Sequence, residues 1–281
     1  MKLVELIAEN SADLLSLEDG KDQYVYVSSS AQRLLGWRHE ELQGTCISAL
    51  HHAEDAERIE RERADLRRGT KPSICCRYRL RARSGSYRWV ESRSRLCDPL
   101  PEYVATTTRD VHEQVEELER LEWRATYDSL TRLLNRDATE RALDAEFSRS
   151  RRQSEVLSVA IFDVDDLKRV NDTGGHLVGD AVLRSLGHCV MQCKRTYDTL
   201  GRWGGDEFIL ILPNTHTEDA TAILERIRER VARELRGTTV SFGVSSSAQA
   251  PSVRALLADA DRALYEGKRR GGNEVVASSR A

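Results

Sequence analysis

No apolar run in this 281-residue sequence approaches the ~18–20 residues that a membrane-crossing helix needs. The opening stretch Met1-Lys2-Leu3-Val4-Glu5-Leu6-Ile7 is broken by Glu5, and Glu9 follows, which makes it a poor signal peptide. Charge excess is also lacking. The 43 Lys and Arg against 46 Asp and Glu leave a formal net charge of −3. That excludes a general nucleic-acid-binding coat or a polybasic membrane anchor and leaves room only for a local basic site. No Cys-x-x-Cys and no zinc-finger spacing occurs among Cys46, Cys75, Cys76, Cys97, Cys189 and Cys193. Adjacent Cys75 and Cys76 point to opposite faces if they lie on a strand, so buried reduced thiols are the simpler reading. Redox and haem chemistry stay open. What is present is ordinary core material: 40% hydrophobic and 32% charged residues argue against global disorder. The length suits two domains of ~150 residues each. The expectation is a cytoplasmic protein with no DNA or RNA partner and no membrane insertion.

Residues 1–110 read as a small mixed α/β domain. Leu3 to Ile7 suits a short helix, and Tyr24-Val25-Tyr26-Val27 is rich in strand formers. Ala31 to Gly36 reads as a helical turn ending at glycine, and Asp55 to Arg67 as a charged helix. Strand-like runs Ile74–Ala82 and Tyr87–Ser94 are joined by Ser84-Gly85-Ser86, and a last strand passes through Tyr103–Thr108. This order resembles a PAS sensor domain. The residues that carry the likeness are Val27-Ser28-Ser29-Ser30-Ala31, Leu34-Leu35-Gly36-Trp37, His52-Ala53-Glu54-Asp55 and Gly85-Ser86-Tyr87-Arg88-Trp89-Val90. The resemblance implies a haem, flavin or small-metabolite ligand, or dimerisation without one, and the sequence names none of them. His51 and His52 raise the haem reading, but a His52 in the loop before a helix with no cofactor weighs more.

Residues 111–127 read as a helical linker. Val111, Val115, Leu118, Leu121 and Ala125 recur at three- and four-residue steps among glutamates and arginines. Such a narrow seam suits a short parallel coiled coil, or a helix packed on its own domain. In residues 128–281, strand runs Leu157–Asp163, Phe208–Leu212 and Thr238–Val244 alternate with helical patterns over Arg136–Arg151, Val178–Lys194, Thr217–Leu235 and Val253–Arg270. The fold class is therefore α/β or α+β, a sheet with helices packed on it.

The chemistry concentrates in two segments. In Val159-Ala160-Ile161-Phe162-Asp163-Val164-Asp165-Asp166 an apolar strand runs into carboxylates, with Ile161, Asp163 and Asp165 on one face by strand periodicity. A carboxylate at the end of a buried strand needs a partner. A divalent cation is one, aided by a backbone carbonyl, and solvent at the strand end is another. In Gly201-Arg202-Trp203-Gly204-Gly205-Asp206-Glu207-Phe208 the glycine pair signals a tight hairpin with Asp206 and Glu207 at its lip. Brought beside Asp163, these carboxylates repel one another unless a metal intervenes.

Gly204-Gly205-Asp206-Glu207-Phe208 is the signature of the GGDEF diguanylate cyclase family, and the chain resembles that family over residues 126–277. Asp128-Ser129-Leu130-Thr131-Arg132-Leu133-Leu134-Asn135-Arg136 is similar to its opening motif, with Arg132 where glycine is usual. Phe162–Asp172, Gly175–Asp180, Val240–Val244 and Ala260–Lys268 follow in the family's order. The resemblance implies a sheet like the palm of nucleotidyl cyclases, with GTP as substrate and cyclic di-GMP as product. It implies a homodimer and Mg²⁺, with Mn²⁺ as a substitute. Asp163, the Val164 carbonyl, Asp206 and Glu207 would hold the metal, and Asp206 or Glu207 would take the 3′-hydroxyl proton. Asn171 and Asp180 would meet guanine. Lys168, Lys268 and the backbone of Asp166 and Leu167 would hold phosphates, and His176 would brace that loop. Arg195 and Asp198, with Arg226, resemble an inhibitory product site. Two departures stand out. Gly272 removes a usual phosphate-contacting arginine, and Asp166 and Leu167 replace commoner aromatics. The rival readings are a weakly active or inactive GGDEF domain that serves as a cyclic di-GMP or GTP receptor, and a PAS-driven scaffold.

Overall fold

The computed structural model of the chain describes residues 2–235 and 237–278. Met1 and Ala281, the outer limits of the two expected domains, lie outside the described residues. The chain forms two compact units that divide between Arg120 and Leu121.

In the first unit, α1 (Lys2–Glu9) leads into β1 (Leu14–Glu18) and β2 (Tyr24–Val27). Three short helical pieces follow: α2 (Ser30–Leu35), α3 (His39–Leu42) and a 3₁₀ turn at Ile47–Leu50. Then come α4 (Ala53–Arg67), β3 (Ile74–Arg81), β4 (Tyr87–Leu96) and β5 (Val104–Asp110). The antiparallel sheet has the order β2-β1-β5-β4-β3. Ile74, Cys76, Tyr78 and Leu80 alternate inward along β3 and build the apolar core with Leu14, Val90 and Val104. Between β3 and β4, Gly85 has φ 90°, a conformation that glycine adopts without steric cost.

The inner face of this sheet also carries polar side chains, all buried: Ser16, Glu18, Ser92, Ser94, Thr106 and Thr108. They satisfy one another. Ser92 and Thr108 hydroxyls are 2.7 Å apart, Ser94 and Thr106 2.9 Å, and Thr106 donates to Glu18 at 2.8 Å. Arg63 pairs with Glu18 at 3.4 Å. His52 caps α4, its Nδ1 accepting from the Glu54 amide at 3.3 Å, which is the loop-to-helix position.

His51 is buried edge-on against Tyr78, and among the described residues neither of its ring nitrogens has a hydrogen-bond partner. Burial and then the charge of Arg63 lower its pKa to about 4, while Asp55 and Asp22 oppose the shift. The unfolded chain therefore binds the extra proton first as pH falls. Stability from neutral His51 is complete above pH ~6.5 and is lost as pH falls toward 4. The loss is expected to reach roughly 2–4 kcal/mol in the first unit. Melting of the first unit between pH 4 and 7 should show a steep acid limb that His51→Phe flattens. An equally steep limb in the variant would assign it to other groups.

The helix α5 (His112–Thr126) crosses the division between the units. Val111, expected to begin the apolar seam, precedes this helix and is buried in the first unit, its amide donating to the Trp89 carbonyl at 3.1 Å. Val115 is half-buried, whereas Leu118 and Leu121 are 50% and 51% exposed.

The second unit continues with α6 (Arg136–Gln153), β6 (Leu157–Val164), α7 (Leu167–Gly174), α8 (His176–Cys193), β7 (Thr199–Gly204) and β8 (Glu207–Pro213). It ends with α9 (Thr217–Glu234), β9 (Val240–Ser246), α10 (Val253–Arg269) and β10 (Val275–Ala277). The sheet order is β10-β9-β6-β8-β7. β9 and β10 pair in parallel, and the other neighbouring strands of this sheet pair antiparallel. Every residue of the central strand β6 is buried because helices cover both faces of the sheet. Phe162 stacks between Phe208 and Phe242 on one face, packed with residues of α8 and α9. Val159, Ile161, Ile209 and Ile211 fill the other against α6 and α10.

Candidate active site

β6 and β8 pair in a register that sets Asp163 opposite Glu207, and β6 and β9 set Asp163 opposite Ser241. Directly opposed residues share a face, so the carboxylates emerge at one end of the sheet on its α6 and α10 side. The β7–β8 hairpin turns at Gly205, φ 53°, and presents half-exposed Asp206 beside them. The strand ends at Val164, so Asp165 lies beyond it and takes another task. It accepts from Thr239 Oγ1 at 2.7 Å, Ser241 Oγ at 2.6 Å and the Asn273 amide at 2.8 Å.

Asp163 is buried, and Lys268 from α10 donates to its Oδ2. Its Oδ1 is buried, with no hydrogen-bond partner among the described residues. Burial pushes the Asp163 carboxyl up to about 7, with Lys268 opposing the rise and Asp206 adding to it. Glu207 is raised too, first by burial and then by Asp261 and Asp206. The register brings Asp163 and Glu207 together as the sequence suggested, and among the described residues no group of three His, Cys, Asp or Glu side chains stands close enough to enclose a metal ion. The Lys268 ammonium stands against Asp163 Oδ2. The donors still suit a hard divalent cation: acidic oxygens at one sheet end, one of them buried and unpaired.

The hairpin is fastened by a residue to which sequence reasoning gave no role. Arg202 donates from Nε and Nη2 to the Gly205 carbonyl at 3.0 and 2.6 Å, and from Nη1 to Asp128 Oδ1 at 3.0 Å. The same Asp128 oxygen accepts the Thr131 amide and hydroxyl at 2.8 and 2.7 Å. Burial alone would raise the Asp128 pKa, and the Thr131 and Arg202 bonds outweigh it and lower it. Arg136 lies over Trp203, 4.9 Å from the ring centre.

The other sequence-predicted residues surround this end or lie apart from it. Asp166, φ 52°, precedes α7, Lys168 is exposed on its first turn, and Leu167 is buried in the core. Asn171 packs its side chain over Gly179, where a Cβ would approach its Oδ1 to 1.9 Å, one residue from half-buried Asp180. His176 is exposed at the start of α8. Gly272 has φ 76°, and a Cβ there would lie 2.9 Å from the Asp165 carboxylate. Glycine at that position belongs to the loop that Asp165 holds. Arg195 is exposed, whereas Asp198 is buried and accepts the Arg195 amide at 2.7 Å. Among the described residues no Arg195–Asp198 side-chain ion pair forms, and the Arg195 guanidinium donates to Tyr197 Oη at 3.1 Å. Arg226 is exposed on α9, beside a groove of about 510 Å³ with Arg230 and Arg233.

The profile described as "Diguanylate cyclase, GGDEF domain" matches residues 125–274. The chain belongs to the GGDEF diguanylate cyclase family. A PAS fold profile matches residues 24–100 ahead of the GGDEF domain. Diguanylate cyclase DgcM of Escherichia coli K12 is 31% identical over 96% of this chain and 67% of its own length. Diguanylate cyclase A of Treponema denticola is 40% identical over 45% of this chain and 36% of its own length. The chain thus spans between about a third and two thirds of these curated relatives. Among solved structures, the coiled coil and GGDEF domain of DgcB from Caulobacter crescentus, in complex with c-di-GMP, superposes with a TM-score of 0.55. It is 31% identical and covers 59% of this chain and 93% of that one. The active GGEEF domain of a diguanylate cyclase from Vibrio cholerae gives 0.51 at 34% identity, covering 53% of this chain and 99% of that one.

Proposed function

We propose that this GGDEF protein condenses two GTP molecules into cyclic di-GMP and two pyrophosphates, under control of its PAS domain. The observation that carries the reading is the carboxylate group of Asp163, Asp206 and Glu207 at one sheet end, opposed by Lys268. Asp163, the Val164 carbonyl, Asp206 and Glu207 are the residues to hold Mg²⁺ or Mn²⁺, which supplies charge to polarise the phosphates. Lys168, Lys268 and the backbone around Asp166 and Leu167 bind phosphate oxygens, with exposed His176 bracing the loop. Asn171 and Asp180 select guanine, whose N1–H and N2–H₂ donors an acceptor carboxylate matches.

Each ribose 3′-oxygen attacks the other nucleotide's α-phosphorus, the bond to pyrophosphate breaks, and the hydroxyl proton passes to Asp206 or Glu207. One domain holds one GTP, so each is a half-site and a homodimer completes the reaction. The exposed Leu118 and Leu121 on α5 suit a pairing seam for residues 111–127. Purified full-length protein given GTP and Mg²⁺ tests the reading by whether cyclic di-GMP forms.

A second reading, a receptor that binds cyclic di-GMP or GTP without turnover, is favoured by Gly272, which offers no side chain to phosphate.

Arg195, Asp198 and Arg226 form the proposed inhibitory product site. Its support is the exposed Arg195 fork, not spent on Asp198, and the buried Oδ1 of Asp198, which has no hydrogen-bond partner among the described residues. Arg195→Ala is expected to keep the initial rate and to give progress curves that stay linear while wild type slows. Equal slowing of both, or no slowing of wild type by added cyclic di-GMP, assigns the pair to structure.

A further inference from the structure

Arg132 stands at φ 62°, a left-handed backbone conformation that glycine adopts freely and a long side chain disfavours. What holds it there is a ring. Its guanidinium lies over Trp123, 4.7 Å from the ring centre, and Trp123 stacks on Tyr127 at 5.7 Å. A flat delocalised cation can make this contact with an indole, and glycine cannot. The Arg132 amide donates to the Asp128 carbonyl at 2.9 Å, in the same turn whose Asp128 carboxylate binds Arg202. Arg202 in turn holds the Gly205 carbonyl, the residue before Asp206. Two further bonds run alongside. Asn135 Nδ2 donates to the Arg124 carbonyl at 2.9 Å, and the Arg202 amide donates to the Leu134 carbonyl at 2.8 Å. The last turn of α5, the loop at residues 127–135 and the tip of the catalytic hairpin are therefore joined by contacts without a break, all within the second unit.

We infer that Arg132, latched to Trp123, is a positioning residue. It fixes the Asp128 turn, which orients Arg202, which sets the Gly205 carbonyl and so the placement of Asp206 and Glu207. A shift in the last turn of α5 then reaches the catalytic carboxylates along this path. The kinetic consequence rests on the cyclase reading above, whereas the structural consequence does not.

The test is amide hydrogen exchange on the full-length chain, comparing wild type with Arg132→Gly, Arg132→Lys and Trp123→Leu. Glycine suits the backbone at this position, so Arg132→Gly folds. Exchange in residues 126–135 and in residues 201–207 is expected to quicken together, by about three- to tenfold on loss of a contact of this kind. Arg132→Lys, which keeps the cation, should lie between, and β6 should not change. With GTP and Mg²⁺, kcat should fall by a similar factor, with KM within about twofold of wild type, as expected for placement rather than binding. Faster exchange confined to residues 126–135, with the hairpin amides unchanged, overturns the inference, as does a change in KM alone. If wild type turns over no GTP, the cyclase reading fails while the exchange pattern still decides the latch.

Discussion

Asp206→Asn is expected to lower cyclic di-GMP formation by about a thousandfold or more, because on the proposed cyclase reading it removes a charged group that faces the developing phosphoryl charge. The melting temperature should stay within a few degrees of wild type. Asp206 is half-exposed at the hairpin lip, and the hairpin's own fastening, Arg202 on the Gly205 carbonyl, does not involve its side chain. The substitution also lifts a like charge from beside Asp163 and Glu207. Rate measurements on folded variant protein, with circular dichroism to establish the fold, check both halves. Turnover near the wild-type rate would remove Asp206 from the chemistry.

Gly243→Ala should have the largest effect on stability. Gly243 lies on β9 where α10 crosses, and an added Cβ would come within 2.1 Å of the Ala260 carbonyl oxygen and 2.2 Å of the Leu264 amide nitrogen. Both are backbone atoms of a helix, so no side chain can swing aside. The helix must move off the sheet, at a cost of about 3 kcal/mol or more. A loss of that size should lower the melting temperature of the second unit by about 10 °C. Activity should fall too, since α10 carries Lys268 to Asp163. Gly204→Ala is the control, because nothing lies within 4 Å of a Cβ there and its φ is ordinary. Its melting curve should match wild type. Equal stability of the Gly243 and Gly204 variants would contradict the packing described for α10.

These effects trace back to unequal signals in the sequence. β6, β8, β9 and the four long helices of the second unit were legible because each shows a plain apolar period, and the glycine pair marks the hairpin. β1 was missed for a physical reason. Its buried positions are Leu14, Ser16 and Glu18, so the polar residues face inward and no apolar alternation appears. Glu18 tolerates burial because Ser16 nearby and Thr106 and Arg63, 88 and 45 residues away, all meet its carboxylate. β10 has three residues and exists by pairing with β9. α7 follows a left-handed Asp166, which reads as a loop.

Asp163 was visible from strand periodicity, and Asp206 and Glu207 from the glycine hairpin, but their partners were not. Lys268 meets Asp163 across 105 residues, and Arg202 meets Asp128 across 74. Asp165 looked like a member of the catalytic face. Because the strand stops at Val164, its carboxylate instead organises the loop of Gly272 and Asn273. Asp198, placed by resemblance beside Arg195 in a product site, is buried and accepts the Arg195 amide. In each case the local pattern gives the residue, and the tertiary neighbour decides its task.

The central claim is that two copies of this chain, each holding one GTP, make cyclic di-GMP. The most direct measurement is product formation by purified full-length protein with GTP and Mg²⁺, followed by chromatography and mass spectrometry over a wide range of protein concentration. The account predicts cyclic di-GMP with two pyrophosphates released per product, and a specific activity that falls on dilution as the half-sites part. Binding of cyclic di-GMP or GTP with no product at any protein concentration would contradict it and select the receptor reading.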